Sequence, residues 1–248
     1  MTEFFELFAV KKVELLELLI QHINMTTIAV LVSLLIGVPV GVMITRNKTA
    51  ARIVLGIANV MQSIPCLALL AISIIFIGVG TKPAILMVFV YAFLPILKNT
   101  YTGIMSVDPK NIEVAKGIGL SRWKCLFKIE LPIAAPFIMA GIRIASVAAV
   151  GTMTIAAFAG AKGLGWFINL GMNSMNYQLI LLGALPVSML ALLVDFVFGR
   201  LERAISSEGL LPPEQIKNLT KLQRKRRKAA AYAMCGCVLA ISAVYYVM

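Results

Sequence analysis

Charge is what this chain has least of. Only 14% of its 248 residues are charged while 60% are hydrophobic, against about 25% and about 45–50% in a soluble domain. The apolar residues are gathered in runs of twenty or more, the length a helix needs to cross a bilayer. That excludes an ordinary soluble fold and gives an all-α, polytopic membrane protein. Histidine is nearly absent: His22 stands alone. Of the four cysteines, Cys66, Cys235 and Cys237 sit in apolar runs and Cys125 in a charged segment, so the pattern is that of buried unpaired thiols. Neither a disulfide framework nor a metal site is expected, since metal sites need clustered ligands.

Catalytic motifs are missing as well. No Walker A, GxSxG or HExxH sequence occurs, and "AGAKGLG" (159–165) has glycines and a lysine without the phosphate-loop spacing. The chain is therefore read as a transport component with no catalytic residues. No internal repeat is visible, which counts against a secondary transporter built from duplicated halves. No cleavable leader is expected either: Met1–Gln21 mixes four glutamates and two lysines among its apolar residues. Residues 1–22 read as an amphipathic helix lying at the membrane surface.

What is there is positive charge, and its placement is informative. The net charge is +12, but the basic residues gather in connecting segments, the signature that sets membrane orientation rather than nucleic-acid binding. Six spans are expected, at roughly 23–45, 53–78, 83–105, 133–160, 176–199 and 229–248. Segment 46–52 holds Arg46, Lys48 and Arg52 without an acid; 106–132 holds five basic and three acidic residues; 200–228 holds nine and three, ending in "RKRRK". Segments 79–82 and 161–175 hold one lysine each. The three basic segments should be cytoplasmic and both termini outside, in the plasma membrane of a prokaryote. The run Arg224–Lys228 suits anionic headgroups.

The stretch "EVAKGIGLSRWKCLFKIELP" (113–132) is the most polar piece of the core. Asp108-Pro109 supplies an N-cap and a first-turn proline, and Gly119 a left-handed C-cap. Ser121 begins a second short helix whose Trp123, Leu126, Phe127 and Leu131 are expected on one face, with Lys124 and Lys128 on the other. Pro132 marks the turn into the next span. Two short helices at a glycine elbow would expose apolar faces that need a partner.

Glu113-Val-Ala115, three residues, Gly119, nine residues, then Ile129-x-Leu131-Pro132 resembles the EAA-x3-G-x9-I-x-LP loop of the membrane subunits of binding-protein-dependent ABC importers. Val114 departs from the alanine of that pattern. The resemblance implies that Glu113, Ala115, Gly119, Ile129, Leu131 and Pro132 form an ATPase-coupling loop whose helix enters a groove of the ATPase subunit. A side chain at Gly119 would then collide with the partner or the elbow. "NVMQSIPCLALL" (59–70), "LPILKNTYTGI" (94–104), "PFIMAGIRIA" (136–145) and "AGAKGLG" are similar to permeases of the osmoprotectant branch, which carry glycine betaine, carnitine or choline. An ergothioneine or other amino-acid-like importer is the nearest alternative, and a free-standing channel or carrier the alternative of another class.

The resemblance implies a type I importer transmembrane domain over 23–199, with five core spans plus the additional span 229–248. It implies a homodimer, two ATPase subunits carrying ATP and magnesium, and an extracytoplasmic substrate-binding protein. No cofactor is expected in the chain itself. For the path, Gln62, Ser63 and Pro65 fall near the middle of the second span, where an unpaired amide needs a partner or water. The alternative role for Gln62 is a helix–helix hydrogen bond. Ala148, Thr152, Ala156 and Gly160 recur every four residues, a stripe for close packing or for lining a path; Thr152 and Thr154 are its path candidates. Arg143 and Asp195 are charges inside spans at comparable depth, suited to a mutual ion pair or to separate snorkelling. The span after the basic linker 200–228 would carry the chain to the outside, which suits either continuation into a fused extracytoplasmic binding domain or a terminal helix that only adds packing surface beside a separate binding protein.

Overall fold

A computed structural model describes residues 2–205, all of them in helices or their connections. The expectations for 206–228 and the span 229–248 lie outside the described residues. Among the described residues four helices are long and apolar enough to cross a membrane, and a fifth crossing results if one bent pair counts as a single span.

The first helix, α1 (Thr2–Ile44), differs from expectation. It is one helix of 43 residues, about 65 Å long at 1.5 Å per residue, roughly twice the hydrocarbon thickness. Residues 1–22 are therefore not a separate helix on the membrane surface. Packing explains the difference: Leu15 and Leu18 are buried with Leu164, Phe167, Leu182 and Leu190, so one face of this stretch is held against the bundle while Phe5, Val10 and Val13 on other faces stay exposed. His22 is fully buried one turn further on, its Nε2 3.1 Å from the Val150 carbonyl oxygen.

The second span is two helices, α2 (Lys48–Ser63) and α3 (Cys66–Ile77), bent by 96° at Ile64-Pro65. Pro65 does more than kink this span: one helix ends before it and another starts after it. The Tyr91 hydroxyl donates to the Ile64 carbonyl that the break leaves without a helical partner. Helix α4 (Thr81–Met105) stands at the centre, packed on α1, α2, α3 and on α7 (Leu131–Met153). Small residues permit the α4–α7 approach: a Cβ on Gly141 would lie 2.7 Å from Asn99 Cβ and 2.8 Å from the Pro95 carbonyl oxygen. The core between α1, α4 and α7 is correspondingly fine-grained, with Ala29, Ala84, Ala92, Ala145 and Ala149 almost wholly buried.

The buried small residues of α7 are Ala134, Gly141, Ala145, Ser146 and Ala149; of the expected stripe, Ala156 is fully buried, in the segment that follows α7. Ala148 and Gly160 are exposed and Thr152 half-exposed. Helix α7 ends at Met153 and continues as a tighter 3-10 segment, Thr154–Ala159, so the four-residue spacing does not trace one face to Gly160. The connection 161–175 holds a further short helix, α8 (Gly165–Asn173), before α9 (Tyr177–Ile205). That helix carries too little periodic signal in nine residues to be seen in sequence.

Candidate functional site

The polar loop between α4 and α7 is built by local rules. Helix α5 (Pro109–Gly117) opens with the Asp108 side chain accepting from the Lys110 amide at 2.9 Å and Pro109 in the first turn. It closes in a Schellman motif, with Leu120 N–H donating to Ala115 O at 3.0 Å and Gly119 N–H to Lys116 O at 2.9 Å. Gly119 has φ +80°, the left-handed region a side chain avoids. A Cβ there would meet nothing within 4 Å, so within this chain the glycine is required by conformation and not by a collision with the elbow.

Ser121 caps α6 (Arg122–Cys125), accepting from Lys124 N–H at 3.4 Å. The chain does not turn at Pro132. A single π-turn, Leu126–Glu130, joins α6 to α7, and 122–159 runs as one long helical segment. Pro132 falls in the first turn of α7, beside the wide turn, where its missing N–H disturbs least. The extra residue of the π-turn also splits the expected apolar face. Cys125 and Leu126 are buried, while Trp123 and Phe127 stack at 6.3 Å and are 72% and 63% exposed.

This geometry brings the two halves of the 113–132 pattern together. Ala115, fully buried, sits with Val114, Ile118, Ile129 and Pro132 around a hollow of about 310 Å³. Leu131 is half-buried beside it and Glu113 is exposed on the outer side of α5. The alanine at 115 thus has a packing reason, since α5 lies against the base of α7. One anchoring residue is not visible in the sequence pattern. Glu130, only 3% exposed, accepts from Arg46 at 2.6 Å and ties the base of α7 to the end of α1. The signal available was an acid set between Lys128 and the apolar start of the next span, one of three acids among five bases in 106–132. Above it, Val114, Ile118, Trp123 and Phe127 form an apolar patch uncovered by the chain itself.

The other singled-out residues fall in two places. Gln62, Ser63 and Pro65 meet at the α2–α3 elbow; Gln62 is half-buried without a hydrogen bond among the described residues, and Ser63 donates to Asn59 O at 2.9 Å. Thr152 and Thr154 lie at the end of α7, and their hydroxyls return to Ala148 O and Gly151 O at 2.9 and 2.7 Å. The α3–α4 connection and the end of the 3-10 segment after α7 are linked through the backbone, where Gly80 N–H donates to Ala159 O at 2.7 Å.

Arg143 and Asp195 form a two-point pair: Nε to Oδ1 at 2.7 Å and Nη2 to Oδ2 at 2.9 Å. Glu202, about two helical turns further along α9, accepts from Nη1 at 3.1 Å. Gly199 leaves the room, because a Cβ there would come within 3.1 Å of Arg143 Cζ. The group lines an open cleft of about 550 Å³ with Ala140, Ile144, Val147 and Ala148. No group of metal-binding side chains occurs among the described residues.

Comparison with known proteins agrees with this architecture. Residues 20–207 match the family described as binding-protein-dependent transport system inner membrane component. The glycine betaine/carnitine/choline transport system permease protein OpuCB of Bacillus subtilis (strain 168) is 43% identical over 190 residues, 77% of this chain and 88% of the relative. The choline transport system permease protein OpuBB of the same organism is 42% identical, covering 84% and 94%. The osmoprotectant import permease protein OsmW of Salmonella typhimurium is 38% identical, covering 79% and 94%. Among solved structures, an inward-facing MetNI methionine ABC transporter superposes with a TM-score of 0.69 at 25% identity, over 78% of this chain and 96% of that one. With the family match, the coverage of these permeases and the type I helical arrangement together, the chain belongs to the inner membrane components of binding-protein-dependent ABC importers.

Proposed function

We propose that this permease couples to ABC ATPase subunits through α5–α6 and imports small zwitterionic or quaternary-amine solutes of the glycine betaine, carnitine and choline class. The observation that carries the coupling is the uncovered patch of Val114, Ile118, Trp123 and Phe127 beside the hollow where Ala115, Ile129 and Pro132 meet. An apolar patch set among Lys110, Lys116, Arg122, Lys124 and Lys128 on the polar side of a membrane protein calls for a protein partner. The solute class follows what the similar permeases are named for. Two copies would enclose the path, ATP and magnesium would act on the partner subunits, and an extracytoplasmic binding protein would deliver solute. The basic loops 46–52 and 106–132 face the cytoplasm under this reading, which puts the start of α1 outside.

Gly119→Trp tests the coupling. Its side chain would enter open space, and the left-handed backbone costs roughly 1–2 kcal/mol, so membrane insertion should survive. Uptake and co-purification of the ATPase should be lost. Gly119→Ala carries the same backbone strain without the bulk and should keep both. Wild-type uptake and full ATPase association in Gly119→Trp would refute the docking.

A further inference from the structure

At the ends that bear the basic loops, α1 and α7 each lean on α4: Gly41 of α1 faces Thr100, and Ala134 and Phe137 of α7 face Gly103. Farther along, α1 and α7 share one core, Met25, Ala29 and Val30 with Ala145, Ala149 and Met153. Near the loops a polar bridge joins them. Arg46, just past α1, donates from Nη2 to Glu130 Oε2 at 2.6 Å, across 84 residues of sequence. The Glu130 side chain is 4% exposed and that of Arg46 55%, so the fixed end of the bridge is on the α7 side. Glu130 stands where the π-turn Leu126–Glu130 meets α7, a widened turn of the kind that recurs at functional sites. The residue after Arg46, Asn47, caps α2 by accepting from the Thr49 and Ala50 amides at 2.9 and 3.1 Å. The pair therefore ties the α1–α2 joint to the base of α7, against which α5 rests at Ala115. Among the described residues, the other hydrogen bonds of 106–130 stay within that segment or the adjoining helix ends. Glu130 fills the unspecified position of Ile129-x-Leu131-Pro132, so the bridge is no part of the loop pattern itself.

A short charge-assisted hydrogen bond is strong and directional. An exposed ion pair parts and re-forms in water at little cost, whereas a buried carboxylate has no water to take the place of its cation. Resting on the ATPase-coupling reading, we infer that Arg46–Glu130 is a strap that makes the α1–α2 joint travel with α5, α6 and the base of α7. Arg46 and Glu130 are then positioning residues. They act through α2, whose far end is the elbow at Ile64-Pro65 with Gln62 and Ser63. The pull of the strap is opposed by the seat of α2 on α4, where Ala51 and Ala58 pack with Leu94 and Leu97. Without the strap, the ATPase would still displace α5–α6, while the joint would stay on α4 and the movement would not reach the elbow.

The test is a distance measurement in the permease assembled with its ATPase subunits in membranes. Spin labels at Lys48→Cys and Lys110→Cys, both exposed positions, in a chain otherwise free of cysteine, report the separation of the joint and the loop. With the strap intact that separation should be the same in the nucleotide-free state and with ATP and vanadate trapped on the ATPase. Two strapless chains are compared. Arg46→Met with Glu130→Leu leaves no buried charge behind, and Glu130→Gln keeps the side-chain shape without the charge. Both should match the parent separation without nucleotide and shift by at least about 2 Å in the trapped state, the scale of helix displacements in switching proteins. Arg46→Lys keeps the cation and should behave as the parent. A separation that shifts in the parent chain, or stays fixed in both strapless chains, would overturn the strap. A pair with only a structural task would lower the yield of folded protein and leave the separation fixed, which also overturns it. An unsubstituted permease that retains no ATPase would refute the coupling reading, and the strap with it; in every other outcome the ATPase is retained, so the two failures are told apart.

Discussion

Replacing Tyr91 by phenylalanine removes one oxygen from the protein and tests how the broken span is held. In α2–α3 the 96° elbow leaves the Ile64 carbonyl outside both helices, and the Tyr91 hydroxyl of α4 is its partner. Water is scarce at that depth, so an orphaned carbonyl there carries a cost. In soluble proteins an unsatisfied buried acceptor costs about 1–3 kcal/mol. Measured side-chain hydrogen bonds between membrane helices average about 0.6 and reach about 1.7 kcal/mol. Tyr91 is half-buried, which places the expected loss near 1 kcal/mol on the membrane scale. For a chain of this size that lowers the midpoint of thermal unfolding by about 2–4 °C, readable in detergent. Gln62 and Ser63 sit on the same elbow, so a loosened elbow should also raise the solute concentration needed for half-maximal uptake, with ATPase association unchanged. A Tyr91→Phe protein with the parent's melting point and uptake curve would refute the reasoning, and packing alone would then hold the elbow.

Gly141→Val forces side-chain atoms into Asn99 and the Pro95 carbonyl; overpacking of this kind costs about 1–3 kcal/mol or more, and a fall in the yield of folded protein by size-exclusion chromatography would show it. Gln62→Leu should reduce uptake while the ATPase still co-purifies; unchanged uptake would leave Gln62 as a packing residue only. Arg143→Met leaves Asp195 and Glu202 side by side without their cation, so it should destabilise the protein more than the double substitution Arg143→Met with Asp195→Leu, a difference on the order of 1 kcal/mol in a thermal-unfolding cycle. Lys110→Cys in membranes should be modified by an impermeant thiol reagent only when the cytoplasmic side is opened, and labelling from outside would reverse the orientation.

Much of the fold was legible because membrane spans and helix caps are written in local sequence. Apolar runs of twenty residues gave the crossings, Asp108-Pro109 and Gly119 gave both ends of α5, and the fixed spacing from Glu113 to Pro132 gave the loop. These depend on backbone hydrogen bonding and burial within a few turns, so no knowledge of neighbours is needed. What local sequence could not give were the choices made by packing. Whether residues 1–22 lie on the membrane or continue α1 depends on Leu15 and Leu18 finding α8 and α9. Whether Pro65 kinks or breaks its span depends on Tyr91, 27 residues along the chain from Ile64, meeting the carbonyl that Ile64 leaves free. Pro132 reads as a stop in sequence, yet the π-turn before it lets the helix run on. Ala148 and Ala149 are alike in composition, and only the crossing of α4 and α1 decides that 149 is buried and 148 open. The partners of Arg143 and Glu130 were likewise settled in space, because a long side chain chooses among charges brought close by the fold and sequence distance has no say in that choice.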